Sequence, residues 1–183
     1  MSAIHINARF DDQAAARDSF SDRPGWTVLR SKSEPTLYFA QNLSENNLDQ
    51  AEGLEECDVV FDEIADDDVA SDPSDPWCFH VSVKVKAGGG SVYERWKVAE
   101  GEGQRAARGF IKRTLLRSKA DPNVYYYQSF WESEAACQVY SQSDAFTSTF
   151  ARLDPATSFA EPMVRHDCEI VLDYSARPSF SPS

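Results

Sequence analysis

The sequence predicts an α+β protein made of two copies of one sheet-forming unit, packed sheet to sheet. Residues 29–45, LRSKSEPTLYFAQNLSE, agree at eight of seventeen positions with residues 116–132, LRSKADPNVYYYQSFWE. An alternating segment with a histidine precedes each copy, and a Cys-acid-apolar segment follows each. Three matching blocks in the same order indicate an internal duplication.

Each copy is predicted to run strand, helix, strand, turn, strand, helix, strand. Residues 4–10 and 79–85 alternate with period two, which is typical of a strand with two chemically distinct faces. Pro35 and Pro122 lie in short polar turns, which predicts a hairpin between the second and third strands of each copy. Residues 57–62 and 168–173 are the predicted last strands.

The helices are predicted to be shorter in the first copy, because fewer residues separate its matching blocks. In the second copy we predict a helix over 92–108, although Gly101 and Gly103 each weaken it by about 1 kcal/mol relative to alanine. Ser133 and Ser143 are the predicted N-caps of helices over 134–140 and 144–153. The resulting division is a first repeat over 1–63, an acidic linker over 64–77, a full second repeat over 78–175 and a tail over 176–183.

Charge limits the classes of partner. The 183 residues carry 30 acidic and 18 basic side chains, a formal net charge of −12. Such an excess repels phosphate backbones and anionic headgroups, so we expect neither nucleic acid nor membrane as a partner. Residues 1–10 lack a signal-peptide pattern and no apolar run approaches the roughly 20 residues of a membrane span, so we expect a cytoplasmic protein. The four cysteines form no CxxC pair and are expected to be free thiols, with Cys57 and Cys168 buried in strands.

Residues 78–174 resemble the antibiotic biosynthesis monooxygenase family. The resemblance rests on the alternating first strand, the Gly109-Phe110 pair before the second strand, the hairpin segment LLRSKADPNVYYYQSFWESEAA, and the segment SDAF inside the last helix. The triplet of residues 131–133, WES, followed by small residues is its most specific part. The resemblance implies ferredoxin-like repeats that pair as a dimeric α+β barrel, here within one chain, so we expect a monomer that acts as a pseudo-dimer.

The function implied by this resemblance is cofactor-independent monooxygenation of a small aromatic or quinol-type ligand. Two alternatives stay open: a non-catalytic ligand-binding or stress-response barrel, and a haem-binding relative of the haem-degrading monooxygenases. The haem-degrading pattern uses a strand Asn, a helical Trp and a later His, whereas the second copy has Ser82, Tyr140 and Thr149 or Phe150 at these places. Only Asn7 of the first copy fits, so no cofactor is expected.

In the resembled fold, the strand face that carries His80, Ser82 and Lys84 looks toward the helices. We therefore expect His80 and Ser82 to be catalytic, with His80 as a base near neutral pH. The expected substrate-binding residues lie on or near the helices above them: Tyr93, Arg95, Trp96, Arg105, Tyr140, Phe146 and Phe150. The simpler interpretation is that the polar residues form a satisfied layer or face solvent, and that the aromatic residues are core.

Other candidate residues are expected to be structural. The first-copy residues His5, Asn7 and Arg9 are expected to be solvated, because full helices do not cover them. The aromatic residues from Tyr125 to Trp131 are expected to be core, with Trp131 a structural plug. The three histidines are far apart in sequence, so no metal site is expected.

Overall fold

The computed structural model describes residues 2–20, 25–43, 54–65 and 76–173. The first repeat contains β1 (Ser2–Arg9), α1 (Gln13–Phe20), β2 (Trp26–Ser31), β3 (Leu37–Asn42) and β4 (Leu54–Ile64). The second contains β5 (Trp77–Lys84), α2 (Gly90–Arg105), β6 (Phe110–Ser118), β7 (Val124–Trp131), α3 (Glu134–Ser141), α4 (Asp144–Phe150), α5 (Pro155–Ser158) and β8 (Val164–Asp173).

The eight strands close into one barrel in the order β1-β3-β2-β8-β5-β7-β6-β4. Within it, each repeat contributes four neighbouring strands in the same relative order, β4-β1-β3-β2 and β8-β5-β7-β6. The two sheets also pair at both edges, β2 with β8 and β4 with β6, all antiparallel. The predicted sheet-to-sheet pairing of two ferredoxin-like repeats is therefore confirmed, and the edge pairing leaves no open strand in the barrel.

Equivalent strands have equivalent register. His5 pairs with Gln41 across β1 and β3, and His80 pairs with Gln128 across β5 and β7. Both predicted hairpins are present, since β2 pairs with β3 and β6 with β7. The two repeats are thus related by a pseudo-two-fold axis that passes through the barrel.

The sheet faces are the reverse of the predicted ones in the second repeat. Phe79, Val81 and Val83 lie in the hydrophobic cluster that includes helix residues Tyr93 and Trp96. His80 therefore points the other way, into the barrel. Sequence alternation separates two faces, but both are buried here, so it could not indicate which one the helices cover.

The helices of the second repeat are close to the predicted ones. Helix α2 begins and ends earlier than 92–108, at Gly90 and Arg105, and the last long helix stops at Phe150 rather than at 153. The predicted caps are confirmed: Ser133 accepts a hydrogen bond from the Ala136 amide, and Ser143 accepts one from Phe146.

The first repeat has the predicted short first helix, the eight residues of α1. The segment predicted to hold its second helix lies largely outside the described residues, as do most of the predicted linker and all of the tail. The two ends of that linker belong to strands, because Ile64 closes β4 and Trp77 opens β5. All four cysteines are free thiols, as predicted, and all four are buried, including Cys57 and Cys168, for which burial was predicted.

Candidate functional site

The predicted site residues lie on two sides of strand β5. His80 is fully buried in the barrel interior, and its Nε2 lies 3.2 Å from the Ser82 hydroxyl. The predicted aromatic residues Tyr93, Trp96 and Tyr140 lie on the opposite side, between the helices and the sheet. The structure therefore does not bring the predicted catalytic pair and the predicted substrate-binding residues together.

The helix–sheet layer of the second repeat contains a continuous aromatic cluster. The Trp96 ring centroid lies 5.9 Å from that of Tyr93 and 5.7 Å from that of Phe150. Phe146 lies 5.4 Å from Phe150 and 5.6 Å from Tyr140. The structure thus brings together five of the seven residues predicted to bind substrate.

The two predicted arginines do not face this cluster. Arg95 is exposed on the outer side of α2. Arg105 donates to the Glu63 carboxylate of the first repeat at 2.8 Å, so its charge already has a partner. The buried cations of the layer are instead Lys97 and Arg113, which the sequence reasoning missed.

Lys97 lies within the aromatic cluster. Its Nζ is 2.7 Å from the Glu100 carboxylate, 3.6 Å from the Tyr127 ring centroid and 4.8 Å from that of Trp96. Burial lowers the pKa of Lys97, and the nearby Glu100 opposes that shift. The Lys97 ammonium thus lies among π faces, shielded from water, and Glu100 compensates its charge.

Arg113 forms the second buried cation, with no exposed side-chain surface. Its Nε donates to Glu63 at 2.8 Å and its Nη1 donates to the Lys97 carbonyl at 2.7 Å. The guanidinium occupies the space beside Gly101, where a Cβ would lie 1.6 Å from Nη2. The glycine that weakens α2 in isolation is therefore the residue that allows the helix to approach Arg113.

Gln104 continues the polar part of the layer. It accepts a hydrogen bond from the Tyr127 hydroxyl and donates one to Ser129, each at 2.8 Å. Ser129 also accepts from the Trp131 indole at 2.9 Å, so the predicted structural role of Trp131 fits its complete burial. The buried face of α2 thus carries polar groups at helical spacing among aromatic ones. The sequence signal that could have indicated this buried polar face is the glycine within it, at position 101.

The barrel interior holds a stack of four rings. Tyr126 lies 3.9 Å from His5, His5 lies 5.1 Å from His80, and His80 lies 4.0 Å from Phe39, measured between ring centroids. The members alternate between the repeats, so the pseudo-two-fold axis relates one half of the stack to the other. The expectation that His5 is solvated is wrong, because pairing of the two sheets covers it, whereas Asn7 and Arg9 are exposed as expected.

Burial makes both histidines poor bases. It lowers the pKa of His5 to about 3, although the hydrogen bond with Asn7 raises it in part. Burial, and then the neighbouring His5 and His166, hold the pKa of His80 well below its ordinary value. A neutral, enclosed imidazole of this kind is typical of a packed core rather than of a general base working near neutral pH.

Metal and haem ligation can be judged from the same geometry. The described residues include no group of three or more His, Cys, Asp or Glu side chains positioned to hold a metal ion. His80 has rings stacked on both of its faces, so it could reach a haem iron only if the barrel opened. Within the same described ranges, no helix is long and apolar enough to span a bilayer.

Comparison with known proteins gives one match to a family model, within the second repeat. Residues 79–152 match the family model for antibiotic biosynthesis monooxygenase. A search of curated proteins found no match.

Solved structures with the same fold cover nearly the whole chain. A putative monooxygenase from Lactobacillus acidophilus is similar at 7% identity and TM-score 0.68, covering 93% of each chain. A ferredoxin-fold protein from Listeria monocytogenes, related to antibiotic biosynthesis monooxygenases, has 12% identity and TM-score 0.64, covering 92% of this chain and 93% of that one. An anthrone oxidase-like protein has 16% identity and TM-score 0.62, covering 92% and 91%. At these identities the likeness shows a common fold.

Proposed function

We propose that this protein, whose residues 79–152 match the family model for antibiotic biosynthesis monooxygenase, is a cofactor-independent monooxygenase acting on a small aromatic or quinol-type substrate. We place the reaction in the helix–sheet layer of the second repeat. The observation that carries the proposal is the Lys97–Glu100 pair, buried among aromatic rings inside the matched segment. The chain would act as a monomer, with its first repeat in the place of a second subunit.

The layer offers what cofactor-free oxygenation requires. Oxidation of an activated ring methylene to a carbonyl by O₂ puts one oxygen atom into the substrate and releases the other as water, so the substrate supplies all the electrons. The protein needs to stabilise the substrate anion and exclude water. The Lys97–Glu100 pair supplies a buried ammonium beside a carboxylate, and the Trp96 and Tyr127 rings beside Lys97 supply surfaces on which an aromatic substrate can stack.

A substrate would enter the helix–sheet layer where α4 covers it. None of its described side chains is buried, and Phe146 and Phe150 lie on the inner side as its contacts with the aromatic cluster. The Trp96 indole donates a hydrogen bond to the Thr149 carbonyl at 2.8 Å, and this bond is a polar contact between α2 and α4. Displacement of α4 would expose the Trp96 and Tyr140 rings without disturbing the barrel.

The test is oxygen uptake by the purified protein with a panel of hydroquinones and anthrones. A Lys97→Met/Glu100→Gln double variant removes both charges together, so no unpaired charge is left buried. We expect it to lose at least about 100-fold in rate, as other enzymes do when one anion-stabilising group is removed. Lys119→Met, at an exposed lysine that pairs with Glu56, is the matched control and should keep the wild-type rate.

A non-catalytic ligand-binding or stress-response barrel is the second candidate. One observation favours it: within the part of the chain that the structure describes, a small pocket lies inside the barrel and not in the helix–sheet layer. Absence of oxygen uptake across the whole panel would support this candidate over the monooxygenase. Titration with haemin tests the haem-binding alternative, which a saturable Soret shift lost in His80→Ala would support.

A further inference from the structure

The pocket inside the barrel lies on the pseudo-two-fold axis. It encloses about 80 Å³, well below the roughly 300–1,000 Å³ of a site for a drug-sized ligand. Gln41 and Gln128 occupy equivalent places in the matched segments, and Thr27 and Thr114 are equivalent when that alignment is continued upstream. All four line this axial recess.

The symmetry of the axial recess is broken at one pair of positions. The alignment places Gly25 of the first repeat opposite Lys112 of the second, and both line the recess. Gly25 has a φ of 88°, a left-handed conformation that glycine adopts without strain. One repeat thus leaves space where the other supplies an ammonium, an arrangement that a symmetric dimer of identical copies could not have.

The two glutamines have unused donors. Gln41 is 3% exposed and Gln128 is 1% exposed. The side-chain Nε2 of each has no hydrogen-bond partner among the described residues. A buried amide without a partner costs about 1–3 kcal/mol, so two of them at equivalent places facing one recess indicate a missing partner that accepts hydrogen bonds from both.

We propose that the axial recess binds a small monocarboxylate, held by the amide groups of Gln41 and Gln128 and the ammonium of Lys112. A carboxylate has only acceptors, so it matches three donor groups, whereas a carboxamide would bring N–H groups of its own. The recess holds a ligand of a few non-hydrogen atoms, in the size range of acetate or propionate.

The lining of the axial recess also contains one carboxylate, which affects how a bound carboxylate would be oriented. Asp62 also lines the recess, and its carboxylate accepts a hydrogen bond from the Thr114 hydroxyl at 2.8 Å. Asp62 and Lys112 contribute opposite charges to the described lining. A bound carboxylate would therefore orient toward the two amides and Lys112 and away from Asp62.

This second site is separate from the proposed reaction site. Gln128 and Tyr127 are neighbours on β7, and their side chains point to opposite faces of the sheet. The carboxylate site therefore does not depend on the monooxygenase proposal, and binding is measured without any turnover.

The experiment is a titration of the full chain with sodium acetate, followed by the side-chain NH₂ resonances of Gln41 and Gln128 in ¹⁵N–¹H NMR spectra. We expect saturable shifts of both, with a dissociation constant on the order of 1 mM because so small a ligand has few contacts. Gln41→Leu, Gln128→Leu and Lys112→Met should each weaken binding about tenfold or more. Leucine keeps the size of the side chain and removes an unpartnered amide, so these variants should remain folded.

Three comparisons decide the outcome. Lys119→Met should bind acetate as the wild type does, and acetamide should bind at least about tenfold more weakly than acetate. Absence of saturable shifts in the wild type would mean that the recess holds only solvent, which overturns the proposal. Equal binding of acetamide, or equal shifts with sodium chloride, would overturn the assignment of a carboxylate.

Discussion

Single residues show how the same amino acid can have opposite effects in an isolated helix and in a packed one. Glycine at 101 lowers the intrinsic stability of α2, yet its missing Cβ leaves the volume that the Arg113 guanidinium fills. Gly103, two positions later, has a looser environment, in which a Cβ would lie 3.2 Å from that of Ala145 on the exposed helix α4. A comparison of substitutions at the two glycines therefore separates the effect of helix propensity from the effect of packing.

Gly101→Ala is expected to destabilise the protein by about 2 kcal/mol, because overpacking beside Arg113 outweighs the gain in helix propensity. Gly103→Ala should change stability by less than about 1 kcal/mol, since α4 can shift by a few tenths of an ångström. Urea unfolding followed by circular dichroism measures both. Equal effects of the two substitutions would contradict the packing explanation.

The buried histidines predict a dependence of stability on pH. An unfolded histidine takes up a proton below about pH 6.5, whereas folded His5, with its pKa lowered to about 3, stays neutral. Stability contributed by His5 is therefore complete above pH 6.5 and is lost as the pH falls, by about 1.4 kcal/mol per pH unit.

A His5→Gln variant isolates this effect. It should be less stable than the wild type at pH 7, and the difference should shrink by about 2 kcal/mol at pH 5, because glutamine does not titrate. Urea unfolding at the two pH values provides the measurement. Parallel pH profiles of the two proteins would show that His5 is accessible to protons in the folded state.

At the scale of elements, local sequence determines the ends of α3 and α4. Ser133 and Ser143 cap them through side-chain oxygens that accept main-chain N–H groups within the first turn. Such contacts involve residues three apart in sequence, so they could be predicted without knowledge of the fold. The start of α2 could not, because Gly89 precedes it and makes no side-chain cap.

Ser133→Ala should destabilise the protein by about 1 kcal/mol, the typical contribution of an N-cap. Ser141→Ala removes a hydroxyl at the other end of α3, where it donates to the Gln138 carbonyl and is exposed, and should cost less than about 0.5 kcal/mol. Thermal unfolding of the two variants measures the difference between these two losses of stability. A loss in Ser141→Ala as large as that in Ser133→Ala would contradict the capping role.

For the whole molecule, the second repeat depends on the first for a buried charge. Arg113 and Arg105 both donate to Glu63, a residue of β4. The pairing of β4 with β6 places Glu63 directly opposite Arg113, so closure of the barrel supplies the counter-charge. The first repeat is therefore more than a cover for the sheet of the second.

Glu63→Gln should cost about 2 kcal/mol of unfolding free energy, because it leaves a buried guanidinium without its carboxylate. This cost is below the roughly 3–5 kcal/mol of a fully buried pair, since the Glu63 side chain is 25% exposed. Glu56→Gln is the control: Glu56 is 62% exposed and pairs with Lys119 at 3.4 Å, so its loss should cost under about 0.5 kcal/mol. Denaturant titration of both variants gives the comparison, and equal costs would mean that Arg113 does not depend on Glu63.

The sequence by itself determined the duplication, the order of the eight strands, the two hairpins and the caps of α3 and α4. Each of these follows from contacts between near neighbours or from a repeated pattern. Only the tertiary structure decided which face of β5 meets the helices, and therefore that His80 lies in the barrel while Lys97 and Arg113 lie in the candidate site. The physical reason is that both faces of β5 are largely buried, so alternation marks two faces without distinguishing them. The partners that stabilise a buried charge, such as Glu63 for Arg113, come from distant parts of the chain.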